Sequence, residues 1–218
     1  MTALRLGVLA WPVGNPRDVA GYAARLEGFV AEAAGRADLL LMPEYASVEL
    51  AAGGAGEAGE LRAMVAEAPA VLEAMRGVAR RHGIWLLPGS LPMPGADGRV
   101  LNRAPLIAPD GRLAFQDKMA MTRFEAERWG IAPGAGPQVF DTPWGRLGVS
   151  ICYDADSRST SAPRSRPGPG WCWCRPARTR CTASTASASP ARRGRWRTSA
   201  SSPWRRRWAR RPGRPRWM

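Results

Sequence analysis

The sequence has few of the residues that would mark a membrane, secreted or metal-binding protein. Its 218 residues include one histidine and one lysine, Lys118, against 31 arginines. No apolar run approaches the roughly 20 residues that a membrane-spanning helix needs. Only one cysteine, Cys152, precedes residue 157, so this part cannot form an internal disulfide framework, which fits a reducing compartment. The first residues, MTALRLGVLAWP, lack the length and flanks of a signal peptide. We therefore expect a cytoplasmic protein without a membrane partner.

The C-terminal segment, residues 157–218, lacks the residue types that build a core. Every residue from Ser157 to Trp217 is Ala, Arg, Ser, Pro, Gly, Thr, Trp or Cys, and all codons for these types carry G or C in the middle. Reading a GC-rich gene one base out of frame moves the third codon position into the middle. We therefore interpret residues from about 157 as a frameshift product or an artefact of sequence assembly. Without branched aliphatic residues this segment cannot offset its ordering entropy, and we predict a disordered tail.

The net charge of +14 is concentrated in this tail. Seventeen of the 32 basic residues lie from position 155 onward with one acid, so residues 1–154 carry a net charge of −2. The chain thus divides into a slightly acidic body, residues 1–156, and a basic tail, residues 157–218. One alternative is a non-catalytic nucleic-acid-binding protein whose tail neutralises phosphates and stacks its tryptophans on bases. Basic tails usually use lysine freely and do not exclude all aliphatic residues, so we do not expect a nucleic-acid partner.

In the body, short apolar runs alternate with helical patterns. LRLGVLAW and ADLLLMPEY are typical of buried strands, and the helical pattern between them has Asp18 as its N-cap and Gly35 as its stop. A second helix is predicted over roughly 60–82, where Pro69 should break or kink it, after a flexible glycine-rich loop at 51–59. RVLNRAPLIAPDGRLAFQDKM and GPQVFDTPWGRLGVSICYD each indicate two strands around a turn. This alternation predicts an α/β fold with a largely covered sheet.

Three polar residues stand where predicted strands end, which is where chemistry gathers in α/β folds. Glu44 at the mouth of a buried strand would have a raised pKa suited to proton transfer, or it is simply solvated. Lys118, the only lysine, suits a site that must hold an oxyanion close, unless its position is chance. Cys152 is a candidate nucleophile whose thiolate a nearby cation would favour, or a small buried apolar residue. The single histidine, His82, is predicted to lie at a helix C-terminus and not to act as a base.

The segments LLLMPEY, VLNRAPLIAPDGRLAFQDKM and GRLGVSICYD, in this order, resemble the nitrilase superfamily of carbon–nitrogen hydrolases. The resemblance covers residues 4–156. It implies a four-layer α-β-β-α sandwich and the hydrolysis of a non-peptide carbon–nitrogen bond in a small amide or nitrile. Cys152 would attack the substrate carbon, Glu44 would accept its proton, and Lys118 would stabilise the developing negative charge. No metal and no organic cofactor is implied.

The same resemblance implies two further site groups. The family commonly has a second active-site glutamate shortly after the lysine, and here both Glu125 and Glu127 are candidates, with Glu125 slightly favoured. The backbone N–H of Tyr153, which follows the nucleophile, would join the oxyanion site. A thiol acyltransferase that uses the same residues is an alternative of a different reaction type.

The chain departs from the family after the nucleophile. The family continues there with strands and helices that complete both sheets and much of the pocket, whereas this chain continues with the basic tail. We therefore expect an incomplete sandwich, an unstable polypeptide and little or no activity. A homo-oligomer is typical of the family, but we do not expect one here.

Overall fold

The computed structural model describes residues 3–155 and the backbone of two later strands, all within one compact unit of residues 1–187. The strands are β1 (Leu6–Val8), β2 (Leu39–Leu41), β3 (Trp85–Leu87), β4 (Leu91–Pro94), β5 (Val100–Ile107), β6 (Leu113–Asp117), β7 (Val139–Thr142), β8 (Gly145–Ile151), β9 (Gly170–Cys174) and β10 (Ala183–Ser184). The helices are α1 (Val19–Ala33) and α2 (Gly56–His82), with 3₁₀ turns at Val48–Gly53 and Cys152–Ala155 and a π-helical turn at Glu125–Trp129.

The strands form two sheets. In the first, the order is β1-β2-β3-β5-β4, and β6 also pairs with β5. Strands β1, β2 and β3 are parallel, whereas β4, β5 and β6 add antiparallel pairs. The second sheet has the order β10-β9-β8-β7, in which β7 and β8 form an antiparallel hairpin. Both predicted hairpins, β5–β6 and β7–β8, are therefore confirmed.

The three leucines of β2 show how the layers stack. Leu40 faces a core that it shares with Leu26 of α1 and Met75 of α2. Leu39 and Leu41 point to the opposite side of the sheet, into a second core that includes Val149 of β8. Because successive side chains of a strand alternate between its faces, one short leucine run serves both interfaces. The described layers are thus helices, first sheet and second sheet, which are three of the four layers of the predicted α-β-β-α sandwich.

Helix α1 begins and ends where the sequence predicts. Its N-cap, Asp18, accepts a hydrogen bond from the Gly21 N–H at 2.8 Å, which satisfies one of the unpaired donors of the first turn. The helix ends at Ala33, and Gly35 then takes a left-handed conformation with φ of 76°. The apolar stripe that predicted this helix is the face that it buries.

Helix α2 differs from its prediction in two places. It runs unbroken from Gly56 to His82 through Pro69, because its buried face packs along the first core and outweighs the lost backbone hydrogen bond. The predicted flexible loop at 51–59 is instead the end of a 3₁₀ turn and the start of α2. A Cβ on Gly54 would meet the Gly59 carbonyl carbon at 2.3 Å, so glycine permits the close approach of these two turns.

The predicted disordered tail, residues 157–218, lies mostly outside the described residues. Within it the structure describes β9, which pairs in parallel with β8, and β10, which pairs with β9. The composition predicts no regular structure at these two strands. Sheet pairing uses main-chain N–H and C=O groups, so the open edge of β8 can accept a strand of almost any composition. None of the helices described in residues 3–155 is long and apolar enough to cross a bilayer.

Candidate active site

The two sheets bring Glu44, Lys118 and Cys152 together. Glu44 follows β2 after Met42 and Pro43, Lys118 directly follows β6, and Cys152 directly follows β8 of the second sheet. The Lys118 Nζ atom lies 2.7 Å from Oε1 of Glu44, and the Cys152 thiol is near enough to interact electrostatically with the same carboxylate. The Lys118 side chain is fully buried. Three strand ends that are far apart in the sequence therefore form one polar cluster.

The structure places the two candidate second glutamates differently. Glu125 is 3% exposed, and its Oε2 lies 2.6 Å from Lys118 Nζ. Glu127 lies on the surface, where it pairs with Arg123 one helical turn earlier. The π-helical turn at Glu125–Trp129 thus points one carboxylate into the cluster and the other into solvent.

Three residues that the sequence analysis missed complete the cluster. Asn102 of β5 is fully buried, and its Nδ2 donates to Oε1 of Glu44 at 2.9 Å and to Oε1 of Glu125 at 3.0 Å. The Tyr45 hydroxyl donates to Glu125 at 2.9 Å, and Thr122 donates to it through both its backbone N–H and its hydroxyl. Asn102 could have been found from the sequence. An asparagine inside an apolar strand is a buried amide, and a buried amide must find hydrogen-bond partners.

The pKa values of Glu44 and Glu125 are shifted in opposite directions. Burial raises the pKa of Glu44, and the charge and hydrogen bond of Lys118 offset only part of that effect. Burial also favours the neutral form of Glu125, but the hydrogen bonds from Lys118 and Thr122 outweigh it and lower its pKa. Burial alone would lower the pKa of Lys118, yet the two carboxylates reverse this and raise it. The cluster thus holds an ammonium, a firmly ionised Glu125 and a Glu44 that accepts a proton more readily.

Cys152 rests as a neutral thiol. Burial raises its pKa to about 12, the charge of Glu44 adds to the effect, and Lys118 opposes it. The charge of Lys118 favours the thiolate, as expected, but burial and the charge of Glu44 outweigh it in the resting site. A thiol that is protonated at neutral pH needs a base in order to act as a nucleophile.

The backbone is strained at this site. Among the described residues other than glycine, only Tyr45 and Cys152 have positive φ, 54° and 49°. Strain of this kind concentrates at functional sites, where the surrounding structure maintains it. Gly89 has φ of 82°, and a Cβ there would meet the Pro43 carbonyl oxygen at 2.0 Å, so only glycine lets the chain pass so close to the residue before Glu44.

Two other predicted positions are also described. Tyr153 lies in the 3₁₀ turn that begins at Cys152, with its side chain 54% exposed. His82 is the last residue of α2, as predicted, and pairs with Glu27 of α1 outside this cluster. In the part of the chain that the structure describes, no three His, Cys, Asp or Glu side chains are arranged to hold a metal ion. The cation between Glu44 and Glu125 is the Lys118 ammonium.

Comparison with known proteins identifies the family of the chain. A family profile described as carbon-nitrogen hydrolase matches residues 6–168, about three quarters of the chain. The chain therefore belongs to the carbon-nitrogen hydrolase family.

Two relatives show how much of the length of a family member this chain spans. An omega-amidase of Danio rerio is 30% identical over 164 residues, which cover 71% of this chain and 56% of that protein. An omega-amidase of Xenopus laevis is 35% identical over 91 residues, which cover 38% of this chain and 32% of that protein. The chain thus spans about a third to just over half of these relatives.

Two crystal structures share the fold. A CN-hydrolase superfamily protein of Xanthomonas campestris, with an arsenic adduct in its active site, gives a TM-score of 0.57 at 25% identity. The match covers 73% of this chain and 57% of that protein's chain. An amidase of Nesterenkonia sp. gives a TM-score of 0.57 at 21% identity, with coverages of 79% and 75%.

Proposed function

We propose that this chain carries the site for hydrolysing the carbon–nitrogen bond of a small amide through a thioester on Cys152. The observation that carries the proposal is the meeting of a neutral thiol, a carboxylate with a raised pKa and a buried ammonium at three strand ends. An amide is favoured over a nitrile because the relatives named above are amidases. The substrate is a small molecule.

The first half-reaction forms the thioester. The Cys152 sulfur attacks the amide carbon while Glu44 takes the thiol proton, and the carbonyl oxygen becomes an oxyanion that faces the Lys118 ammonium and the Tyr153 backbone N–H. When the oxyanion collapses, the carbon–nitrogen bond breaks and Glu44 returns the proton to the leaving nitrogen. Ammonia or an amine departs, and the acyl group remains on sulfur.

The second half-reaction reverses the proton movements. Glu44 takes a proton from water as the water oxygen attacks the thioester carbon, and the carbon–sulfur bond breaks. The proton returns to sulfur, which restores the neutral thiol, and the acid leaves. Glu125 stays ionised throughout because Lys118 and Thr122 hold it so, and it keeps the ammonium charged beside the reacting atoms.

The reaction predicts an acyl adduct on one residue. When the 218-residue protein is mixed with short aliphatic amides and quenched in acid, we expect intact mass spectrometry to show one acyl group on Cys152, with one ammonia released for each acyl group formed. Hydroxylamine should remove the adduct as a hydroxamate. The Cys152→Ala variant should form neither adduct nor ammonia. Ammonia release that survives in this variant would contradict the proposal. Acyl transfer to added amines in preference to water would assign the site to an acyltransferase instead.

We also propose that the chain leaves its original reading frame near residue 157 and that turnover is therefore impaired. Support comes from the restricted residue types of 157–218. The test is to read the nucleotide sequence around codons 150–165 in all three frames. We expect an alternative frame to restore an aliphatic-rich pattern of strands and helices after Asp156. Open frames that all lack such a pattern would refute the frameshift.

A further inference from the structure

Asp154 is a fully buried carboxylate that the reaction described above does not use. It lies two residues after the thiol, in the 3₁₀ turn Cys152–Ala155. Its Oδ1 accepts hydrogen bonds from the backbone N–H groups of Met119 at 3.0 Å and Ala120 at 2.7 Å. Its Oδ2 accepts a hydrogen bond from the Ile151 N–H at 3.1 Å. A buried carboxylate with three main-chain donors is a costly arrangement that calls for a reason.

These three bonds join the two segments that carry the reacting groups. Met119 and Ala120 directly follow Lys118 at the end of β6 in the first sheet. Ile151 directly precedes Cys152 at the end of β8 in the second sheet. Each main-chain N–H is thus within two residues of the ammonium or the thiol. One side chain therefore fixes the end of one sheet against the end of the other at the point where the two groups meet.

The same carboxylate closes the strained turn of the nucleophile. Cys152 has φ of 49°, a conformation that residues other than glycine seldom adopt and that persists only where its surroundings impose it. The bond from the Ile151 N–H to Asp154 Oδ2 spans Cys152 and Tyr153, so it ties the residue before the strained one to the turn that follows it. The strand therefore ends in a sharp turn that presents the thiol to Glu44.

Only a carboxylate suits this position. Three main-chain donors converge on two oxygens, so both ends of the side chain must accept. An asparagine would offer one accepting oxygen and would turn its NH₂ group toward a main-chain N–H at the other end. The charge of Lys118 also partly compensates for the burial of the Asp154 carboxylate.

We propose that Asp154 is a positioning residue for the reaction, which sets the place of the Cys152 thiol relative to Lys118 and Glu44 by tying the ends of β6 and β8 together. This inference rests on the proposed function. It goes beyond the proposed function by assigning the alignment of the nucleophile to a side chain that bonds the main chain beside the reacting residues.

The test compares two reactions of the same thiol in Asp154→Asn. Iodoacetamide reacts with any accessible thiolate, whereas acylation by an amide also needs alignment with Glu44 and Lys118. In the native protein the alkylation rate should keep rising through pH 10, since the thiol pKa is about 12. In Asp154→Asn the thiol is released from Glu44, so we expect about tenfold faster alkylation at pH 8 and at least tenfold slower acylation by short aliphatic amides.

The matched control is Asp110→Asn, because Asp110 also accepts a backbone N–H in a turn, that of Arg112, but lies in a surface hairpin. It should change neither rate.

If Asp154→Asn does not melt cooperatively, Asp154→Ser, which keeps one accepting oxygen, takes its place with the same expectations. Unchanged alkylation and acylation in a folded variant would overturn the positioning role while leaving the proposed function intact. A native protein that never acylates, but whose alkylation still changes in Asp154→Asn, would overturn the proposed function and leave the positioning of the thiol intact.

Discussion

Replacing Lys118 with methionine is expected to lower the free energy of unfolding by about 3–5 kcal/mol, because it leaves two buried carboxylates without their cation. The Lys118 side chain has no exposed surface, and its ammonium contacts Glu44 at 2.7 Å and Glu125 at 2.6 Å. Methionine keeps the length and apolar stem of the side chain, so the loss measures the charge and not the packing. Urea unfolding followed by circular dichroism gives the free energy directly.

The pH dependence should reveal the cause of that loss. Without Lys118 the pKa values of both buried carboxylates should lie above the unfolded value, so the stability of the variant is greatest in acid and falls as the pH rises through those values. In the native protein the pKa of Glu125 is lowered, so its contribution is present at neutral pH and is lost as the pH falls. The difference between the two proteins should therefore be larger at pH 8 than at pH 5.

Two further variants sharpen this expectation. Arg128→Met removes an exposed ion pair with Glu57 and should change stability by no more than about 0.5 kcal/mol. Combining Lys118→Met with Glu44→Gln and Glu125→Gln removes all three charges and should recover most of the loss, because a neutral buried cluster carries no desolvation penalty for ions. If the triple variant is as unstable as Lys118→Met alone, the loss comes from packing and not from charge.

The sequence predicted best those features that depend on apolar runs and on the residues that end a strand or a helix. Strand ends can be located from apolar runs, and the chemistry of α/β folds gathers at strand ends, so the sequence alone groups Glu44, Lys118 and Cys152. The cap at Asp18 and the stop at Gly35 are local effects, and both were predictable for the same reason. Features that depend on a residue and its sequence neighbours were recovered well.

Features that depend on contacts across the fold were not recovered. Pro69 predicts a break in α2, but the apolar face on both sides of it belongs to one core, and the helix continues. Asn102 and Asp154 act through hydrogen bonds to residues 23 to 58 positions away, which no local pattern reveals. The pKa of Cys152 could not be predicted for a similar reason, because the balance of burial, carboxylate and ammonium depends on their relative distances.

The Glu44→Gln variant should separate the two reactions of Cys152 more strongly than any other single change. We expect acylation by short aliphatic amides to fall by about 10²- to 10⁴-fold, since glutamine cannot accept the thiol proton. Alkylation by iodoacetamide at pH 8 should instead become faster. The negative charge of Glu44 raises the pKa of the thiol, and Lys118 remains to favour the thiolate once that charge is removed. Both rates are measured on one preparation by peptide mass spectrometry, which separates the Cys152 peptide from those that carry the other three cysteines.

Opposite changes in the two rates distinguish a base from a structural residue. If Glu44 only supported the fold, its loss would expose or bury the thiol and would move both rates in the same direction. Glutamine retains an acceptor oxygen for Lys118 and Asn102, so the shape of the cluster is preserved. Glu127→Gln is the matched control, because Glu127 carries the same charge near the site in sequence but pairs with Arg123 on the surface, and it should alter neither rate. Parallel losses in Glu44→Gln would remove Glu44 from the proton-transfer role, and with it the reason that a thiol with a pKa of about 12 can act at neutral pH.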